Sequence, residues 1–393
     1  VDKVGILEIA LTRLPKDHKD RALVLASLCK ELVFGSSLQR RQELAEEAIA
    51  IARSSGDDAA IVRVLNHISE PLLVPPLIEQ SEAWTADAVA RAERVGDPVL
   101  LYWAASYRSL IAHSAGDIDE LDRCFEITGV LAEQLNQPIL NWLTTYRRAT
   151  RAAVDGDTDK AEQLATEALQ IGTDSGEPDV LSVFGAQLLT VHFQRGSMGD
   201  LVPLLEQVSA DNPGAQAVAR AVMAAAHAEG DRTDEAHGAL EAVASRQFDL
   251  PLDMLWSTGM TMYAEAAIEC RDPLYAAPLF DRLAPWGNQW AGTGASVEGP
   301  ISLYVGGLAT VLGRYDEADA SFARSAAMSE RFRAKFFAAR TELSWGRMLA
   351  ERRAPGDTDK ARDLLEKAHT TAVAHGYGTI RRRAAHTLQL LDT

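Results

Sequence analysis

Cysteine is scarce. Cys29, Cys124 and Cys270 are the only three in 393 residues, far apart and odd in number. No disulfide framework and no CxxC metal or redox site can be built from them, so a reducing, cytoplasmic setting is expected, with each thiol acting as a small core residue. Sustained period-two runs of Val, Ile and Thr are missing, which leaves no signal for a sheet. No apolar run is long enough to span a membrane and no signal peptide is recognisable, so no membrane partner is expected. Positive charge is outnumbered. The formal net charge of -17 argues against nucleic acid as a direct partner, because phosphate binding needs a cationic surface. The local basic clusters, Arg331 with Arg333 and Lys335, and Arg381 to Arg383, read as solvated helix faces.

Catalytic and cofactor signatures are lacking too. Asp155, Asp157 and Asp159 are spaced like the start of a calcium loop. Lys160 stands where that loop needs glycine and Thr166 where it needs glutamate, so a helix cap is the better reading, and Asp357 with Asp359 repeats it. Gly292-Thr293-Gly294 lacks a third glycine and a preceding strand. The nine histidines show no HExxH spacing, and no GxSxG elbow is present. The sequence therefore predicts a protein that is not an enzyme, with no cofactor and no metal.

What is abundant is helix-forming sequence: hydrophobic residues make up 47% and charged residues 24%, with Ala and Leu prominent. The stretch from Pro300 to Arg331 reads as one complete helical hairpin. Val305, Leu308 and Leu312 share a face, and Gly306 and Gly307 leave room for a neighbouring helix. Leu312-Gly313-Arg314 makes the turn, Asp316 and Glu317 open a second helix, and Ala318, Phe322 and Ala326 form its inner stripe. Two such helices cannot bury their apolar faces alone and need copies on either side.

The copies are marked by turns at Phe34-Gly35-Ser36, Val74-Pro75-Pro76, Ala115-Gly116-Asp117, Asp155-Gly156-Asp157, Arg195-Gly196-Ser197, Glu229-Gly230-Asp231, Cys270-Arg271-Asp272 and Pro355-Gly356-Asp357. Breaks between copies fall at Ser55-Gly56-Asp57, Val95-Gly96-Asp97-Pro98, Asn136-Gln137-Pro138, Ser175-Gly176-Glu177-Pro178, Asn212-Pro213-Gly214 and Leu250-Pro251. The spacing is about 40 residues, a helical-solenoid period. Second helices keep a small residue at the crossing: Ala161, Ala236, Ala276, Ala318 and Ala361. The expected fold is all-α: a TPR-like solenoid of about nine hairpins, stacked as a right-handed superhelix in one domain over residues 1–393. Two places break the rhythm: the bend Glu70 to Pro76, and the long Gly-rich segment Pro285 to Pro300 with Trp286 and Trp290.

These segments carry a resemblance. Phe184-Gly185-Ala186-Gln187-Leu188, Phe248-Asp249-Leu250-Pro251-Leu252-Asp253, Gly299-Pro300 with Leu303-Tyr304, and Leu312 through Ala318 resemble the helical-repeat, MalT-type sensor region of bacterial STAND-type signalling ATPases. So do Leu204-Leu205 with Asn212-Pro213-Gly214, and Pro355-Gly356-Asp357. In that family the region is joined to an ATPase module and to an effector, either a class III adenylate/guanylate cyclase or a LuxR-type DNA-binding domain. The likeness spans from about residue 20 to the end and rests on structural motifs. It implies a sensor or scaffold segment of a signal-transduction or transcription-regulatory protein, with the ATPase and effector domains of the parent chain as partners. No P-loop, cyclase domain or helix-turn-helix is present, and the chain starts at Val1 rather than Met, so a fragment of a longer protein is expected.

The first helices of solenoid hairpins line the inner surface. There the sequence places Tyr102, Trp103, Tyr107 and Arg108; Trp142, Tyr146, Arg147 and Arg148; Phe184, Gln187 and His192; and Trp256 and Tyr263. Aromatics beside arginines suit a peptide, a protein segment or a small polar effector, held by stacking and charge-assisted hydrogen bonds. The candidate ligand-binding residues are Tyr107, Arg108, Trp142, Tyr146, Arg147, Gln187, Trp256 and Trp290. Two readings remain open: a sensor that shifts an attached ATPase between states, and a free-standing scaffold that holds a peptide or protein segment.

Overall fold

The computed structural model describes residues 2–16, 18, 20–34, 36–211 and 216–392. Val1, Gly35 of the first turn and the break at Asn212-Pro213-Gly214 lie outside the described residues. The chain divides into two compact units, Val1–Thr144 with Pro251–Trp256, and Thr145–Leu250 with Ser257–Thr393.

The first unit opens with α1 (Lys3–Arg13), α2 (Arg21–Glu31), α3 (Leu38–Ser55), α4 (Asp58–Ser69), α5 (Ile78–Val95), α6 (Pro98–Ala115) and α7 (Ile118–Leu135). It ends inside α8 (Pro138–Asp155). From α2 onward the helices pair as hairpins. Asp57, Asp97 and Asp117 accept amide hydrogens of the first turns of α4, α6 and α7, satisfying donors that a helix start leaves open. The core is aliphatic, with Leu25, Leu28, Leu44, Ile49, Val62, Leu65 and Ile68 buried together. The bend from Glu70 is a short 3-10 turn, Pro75–Leu77, before α5. One charged side chain is sunk in this core. Arg41 is 1% exposed and donates to the Pro71 carbonyl at 2.6 Å and to the Leu252 carbonyl, tying the segment 251–256 to the unit.

The second unit continues with α9 (Thr158–Ser175), α10 (Val180–Arg195), α11 (Val202–Asp211), α12 (Gln216–Glu229), α13 (Thr233–Ala244), α14 (Trp256–Cys270) and α15 (Pro273–Leu283). The strands β1 (Trp290–Gly292) and β2 (Val297–Pro300) follow. Then come α16 (Ile301–Val311), α17 (Tyr315–Arg331), α18 (Lys335–Arg352), α19 (Asp357–His375) and α20 (Gly378–Leu391). Across the described residues of both units the pairs α2/α3 through α18/α19 number nine, so the chain is all-α and built of helical hairpins. The crossing residues Ala161, Ala236, Ala276, Ala318 and Ala361 are all buried. A Cβ on Gly306 would sit 2.7 Å from the Phe322 ring, and one on Gly307 would sit 2.5 Å from Ile268. These glycines therefore let α16 approach both α17 and α14. Where a turn lacks glycine at the left-handed position, another residue takes it: Asp231 at φ 56° and Arg271 at φ 55°.

Two local expectations change. The segment after α15 holds a two-stranded antiparallel hairpin, with Trp290 opposite Pro300 and Ala291 opposite Gly299. Strands of three and four residues are too short to leave a period-two signal. Asp157 caps α9 as expected, accepting from the Lys160 amide at 3.1 Å. Asp357 does not repeat that role: it lies within the first turn of α19 and holds Arg352 through two contacts of 2.8 Å.

The hairpins of the second unit close on themselves. The Tyr377 hydroxyl donates to the Gly156 carbonyl at 3.0 Å, and Thr379 and Gly378 press on the turn Arg195-Gly196. An aromatic belt fills the middle. Phe193 meets Phe336 at 5.5 Å, Phe336 meets Phe337 and Tyr377 at 5.1 Å, and Trp290 stacks on Phe332 at 4.2 Å.

Candidate functional site

In the first unit, three consecutive first helices converge on a mixed polar and aromatic face. Lys30 ends α2, His67 and Glu70 end α4, and Trp103 and Tyr107 sit one turn apart on α6. The Lys30 ammonium donates to the Tyr107 hydroxyl at 3.3 Å and pairs with Glu70 at 3.9 Å. Trp103 stacks along Tyr107 with ring centroids 6.1 Å apart. Burial works against the Lys30 charge, but Tyr107 and Glu70 outweigh it and hold its pKa above the ordinary lysine value. Burial lowers His67, and the nearby Lys30 adds to that. The Lys30 and Glu70 side chains keep 41% and 31% of their surface in solvent, and Trp103 is half-buried, so a ligand can reach charge of both signs beside a flat ring.

In the second unit, the first-helix face carries a chain of opposite charges. Glu265 and Glu269, one turn apart on α14, face Arg340 and Arg347 on α18 and Arg383 on α20. Arg340 pairs with Glu265, Arg347 with Glu269 at 3.1 Å, and Arg383 with Glu269 at 2.9 Å. Burial would push the Glu269 carboxyl up, but Arg383 and Arg347 outweigh it and keep it below the usual range. Arg340 lies over the Phe193 ring at 4.5 Å. Nearby Glu229 takes the Met198 amide at 2.8 Å, and burial pushes its carboxyl up to about 7.

The residues singled out from sequence fall into four settings. Tyr107 belongs to the Lys30 face. Arg108, its chain neighbour, turns instead toward α5 and α7, bonding Glu120 at 2.9 Å and the Glu82 carbonyl at 2.8 Å. Tyr146, Arg147 and Gln187 come together in the second unit: Gln187 donates to the Tyr146 carbonyl at 2.7 Å, and the Arg147 guanidinium stands 5.7 Å from the Tyr146 ring. Trp142 and Trp256 are buried in the first unit, and Trp290 is buried in the second against Phe332 and Phe337. Arg383, expected on a solvated helix face, is instead largely covered and paired with Glu269. Lys30, Glu70, Glu265, Glu269, Arg340 and Arg347 were not singled out as site residues. Their signal lay in spacing: Glu265 with Glu269 at a step of four and Arg340 with Arg347 at a step of seven each put two charges on one helix face.

Among the described residues no group of His, Cys, Asp and Glu could hold a metal ion, and no helix is long and apolar enough to cross a membrane. The fold defines an all-α protein of stacked helical hairpins. No family model matches the chain, and no curated protein is a significant match. A solved structure, that of a Rap protein complexed with competence and sporulation factor, is similar in outline, with a TM-score of 0.48 and 10% identity over 85% of this chain and 98% of that one. A likeness at that level leaves the reading of this chain to its own residues.

Proposed function

We propose that the chain is a non-catalytic sensor or protein-interaction module, which binds a peptide segment or a small polar effector on its first-helix faces. The observation that carries this reading is the convergence of Lys30, Glu70, Trp103 and Tyr107 from three sequence-distant helices, held in place by one another yet partly open to solvent. A ligand bearing both charge and an aromatic or planar amide group would exchange its water for Lys30, Glu70 and the Trp103 ring. Binding would favour one arrangement of the array and bias whatever is attached to it. On this proposal the natural context is a bacterial signalling protein with a STAND-type ATPase and a cyclase or DNA-binding effector.

Native mass spectrometry of the purified chain, before and after denaturation, tests the proposal. A retained mass that leaves on denaturation, and that is absent from Lys30→Ala and Trp103→Ala, supports an effector site. A mass retained equally by both variants contradicts this placement. An empty chain argues against a tightly held effector and directs the test to peptide binding at the same two residues.

A further inference from the structure

The hairpin Trp290–Pro300 has an unusual place. Its strand residues are all buried, and its hydrogen bonds to other helices run to first helices of the second unit, while Trp290 stacks on Phe332 at the end of α17. Thr150 of α8 donates to the Gly294 carbonyl at 3.0 Å. The Val297 amide donates to Thr190 of α10 at 3.0 Å, and the Gly292 amide reaches Ser257 of α14 at 3.4 Å. A strand-like segment of the chain thus lies across three first helices, on the face where a hairpin array would receive an extended peptide.

The segment is seated by one acid. Glu298 is 1% exposed. One carboxyl oxygen accepts the Thr258 hydroxyl at 2.8 Å, and the other has no hydrogen-bond partner. Among the described residues no cation pairs with it. The charged and titratable groups on the surrounding elements are engaged elsewhere. On α16 the Tyr304 hydroxyl donates to the Glu298 main-chain carbonyl at 2.6 Å. On α18 Arg340 is committed to Glu265 of α14. On α8 Arg151 pairs with Asp155 at 2.6 Å, and Arg147 stands against Tyr146. On α10 His192 contacts the Ser197 hydroxyl at 2.9 Å. A neutral carboxyl tolerates such a site far better than a carboxylate.

We propose that the hairpin is a strap docked on the first-helix face of the second unit, and that loss of the Glu298 proton to bulk base releases it. The protonated acid keeps the strap seated. The carboxylate, with one oxygen unpartnered and no cation in reach, gains water only when β2 lifts away. Lifting uncovers Thr150, Thr190, Ser257 and the ring of Phe337, a set of hydroxyl donors and an apolar wall suited to an extended peptide. That last use of the face rests on the proposed function, whereas the strap and its release do not. The ionisation falls in an accessible range: burial, opposed by the Thr258 and Ser296 hydroxyls, pushes the Glu298 carboxyl up to about 7.

The test is hydrogen exchange on the full chain without any ligand, read by mass spectrometry between about pH 5 and pH 8.5 and corrected for the intrinsic rate. The expected result is that the open population of segment 289–301 rises by up to about tenfold per pH unit between about pH 5 and pH 7, the limit for release of one proton, and levels off above neutrality once the seated acid itself ionises. In Glu298→Gln the segment should stay protected throughout, while Glu229→Gln should keep the rise. No pH dependence in the parent chain overturns the proposal, as does the same rise in Glu298→Gln. Should Glu298→Gln fail to fold, the other two chains still decide: a rise that vanishes in Glu229→Gln belongs to Glu229 and overturns the strap. Failure of native mass spectrometry to find a ligand leaves this outcome untouched, so the two readings fall separately.

Discussion

The two units use the same hairpin and fill it differently. In the first, aliphatic side chains from consecutive helices make the core, one arginine is sunk in it, and the first-helix face stays partly open around Lys30 and Trp103. In the second, the corresponding face is covered by the chain's own β-hairpin, backed by an aromatic belt and crossed by paired Glu and Arg residues. Repeat spacing decides how helices stack, and it is satisfied in both units. What occupies the inner face is decided by residues outside the repeat, so a ligand face and a self-filled face can arise from one hairpin pattern.

The sharpest way to break the comparison is Gly299→Ala. Gly299 has φ 95°, and a Cβ there would lie 2.2 Å from the Phe337 ring. Strain and clash together should cost about 4 kcal/mol or more. Exchange protection should fall across the second unit and hold in α2 to α6 of the first. Arg41→Ala should do the reverse at a smaller size. It leaves the Pro71 and Leu252 carbonyls without their donor, a loss of about 2–3 kcal/mol, visible as faster exchange of segment 251–256.

The two units should also answer pH with opposite signs. The carboxyls of Glu298 and Glu229 have folded values raised from 4.5 to about 7. Stability from a raised carboxyl is complete below the unfolded value and is lost as pH climbs through the folded one. The second unit should therefore weaken from pH 4.5 to 7. Glu298→Gln, denatured with urea at about pH 8, should be more stable than the parent by about 2–3 kcal/mol. In the first unit, Arg123 and then Arg108 outweigh burial and hold Glu120 down to about 2. A lowered carboxyl contributes above its unfolded value and loses that contribution as pH falls toward 2. Arg123 keeps 46% of its side-chain surface in solvent, which screens the pair, so Arg123→Ala should remove less than about 1 kcal/mol, measured as a smaller drop in midpoint between about pH 6 and pH 3.

Most of the architecture was legible in the sequence because it depends on local steric rules. A small residue is needed where helices cross, and Ala161, Ala236, Ala276, Ala318 and Ala361 supply it. A left-handed residue is needed at each turn, and glycine usually supplies it. The β-hairpin was hidden because its strands are shorter than the period that reveals strands, and Trp290 looks alike as a plug and as a ligand anchor. The candidate site was only half legible. Composition placed aromatics and arginines on first helices, but which face each presents follows from helix phase. Tyr107 and Arg108 are adjacent in sequence, yet Tyr107 meets Lys30 of α2 while Arg108 packs between α5 and α7. The facing charges of α14, α18 and α20 join residues more than seventy positions apart, a pairing that no single stretch encodes.

The most direct test of the contrast between an open and a self-filled face is hydroxyl-radical labelling of the folded chain at about pH 6, where the Glu298 proton is largely retained. The account predicts ready oxidation of Trp103 in the first unit and protection of Trp290 in the second. Protection of Trp103 together with rapid oxidation of Trp290 would contradict it.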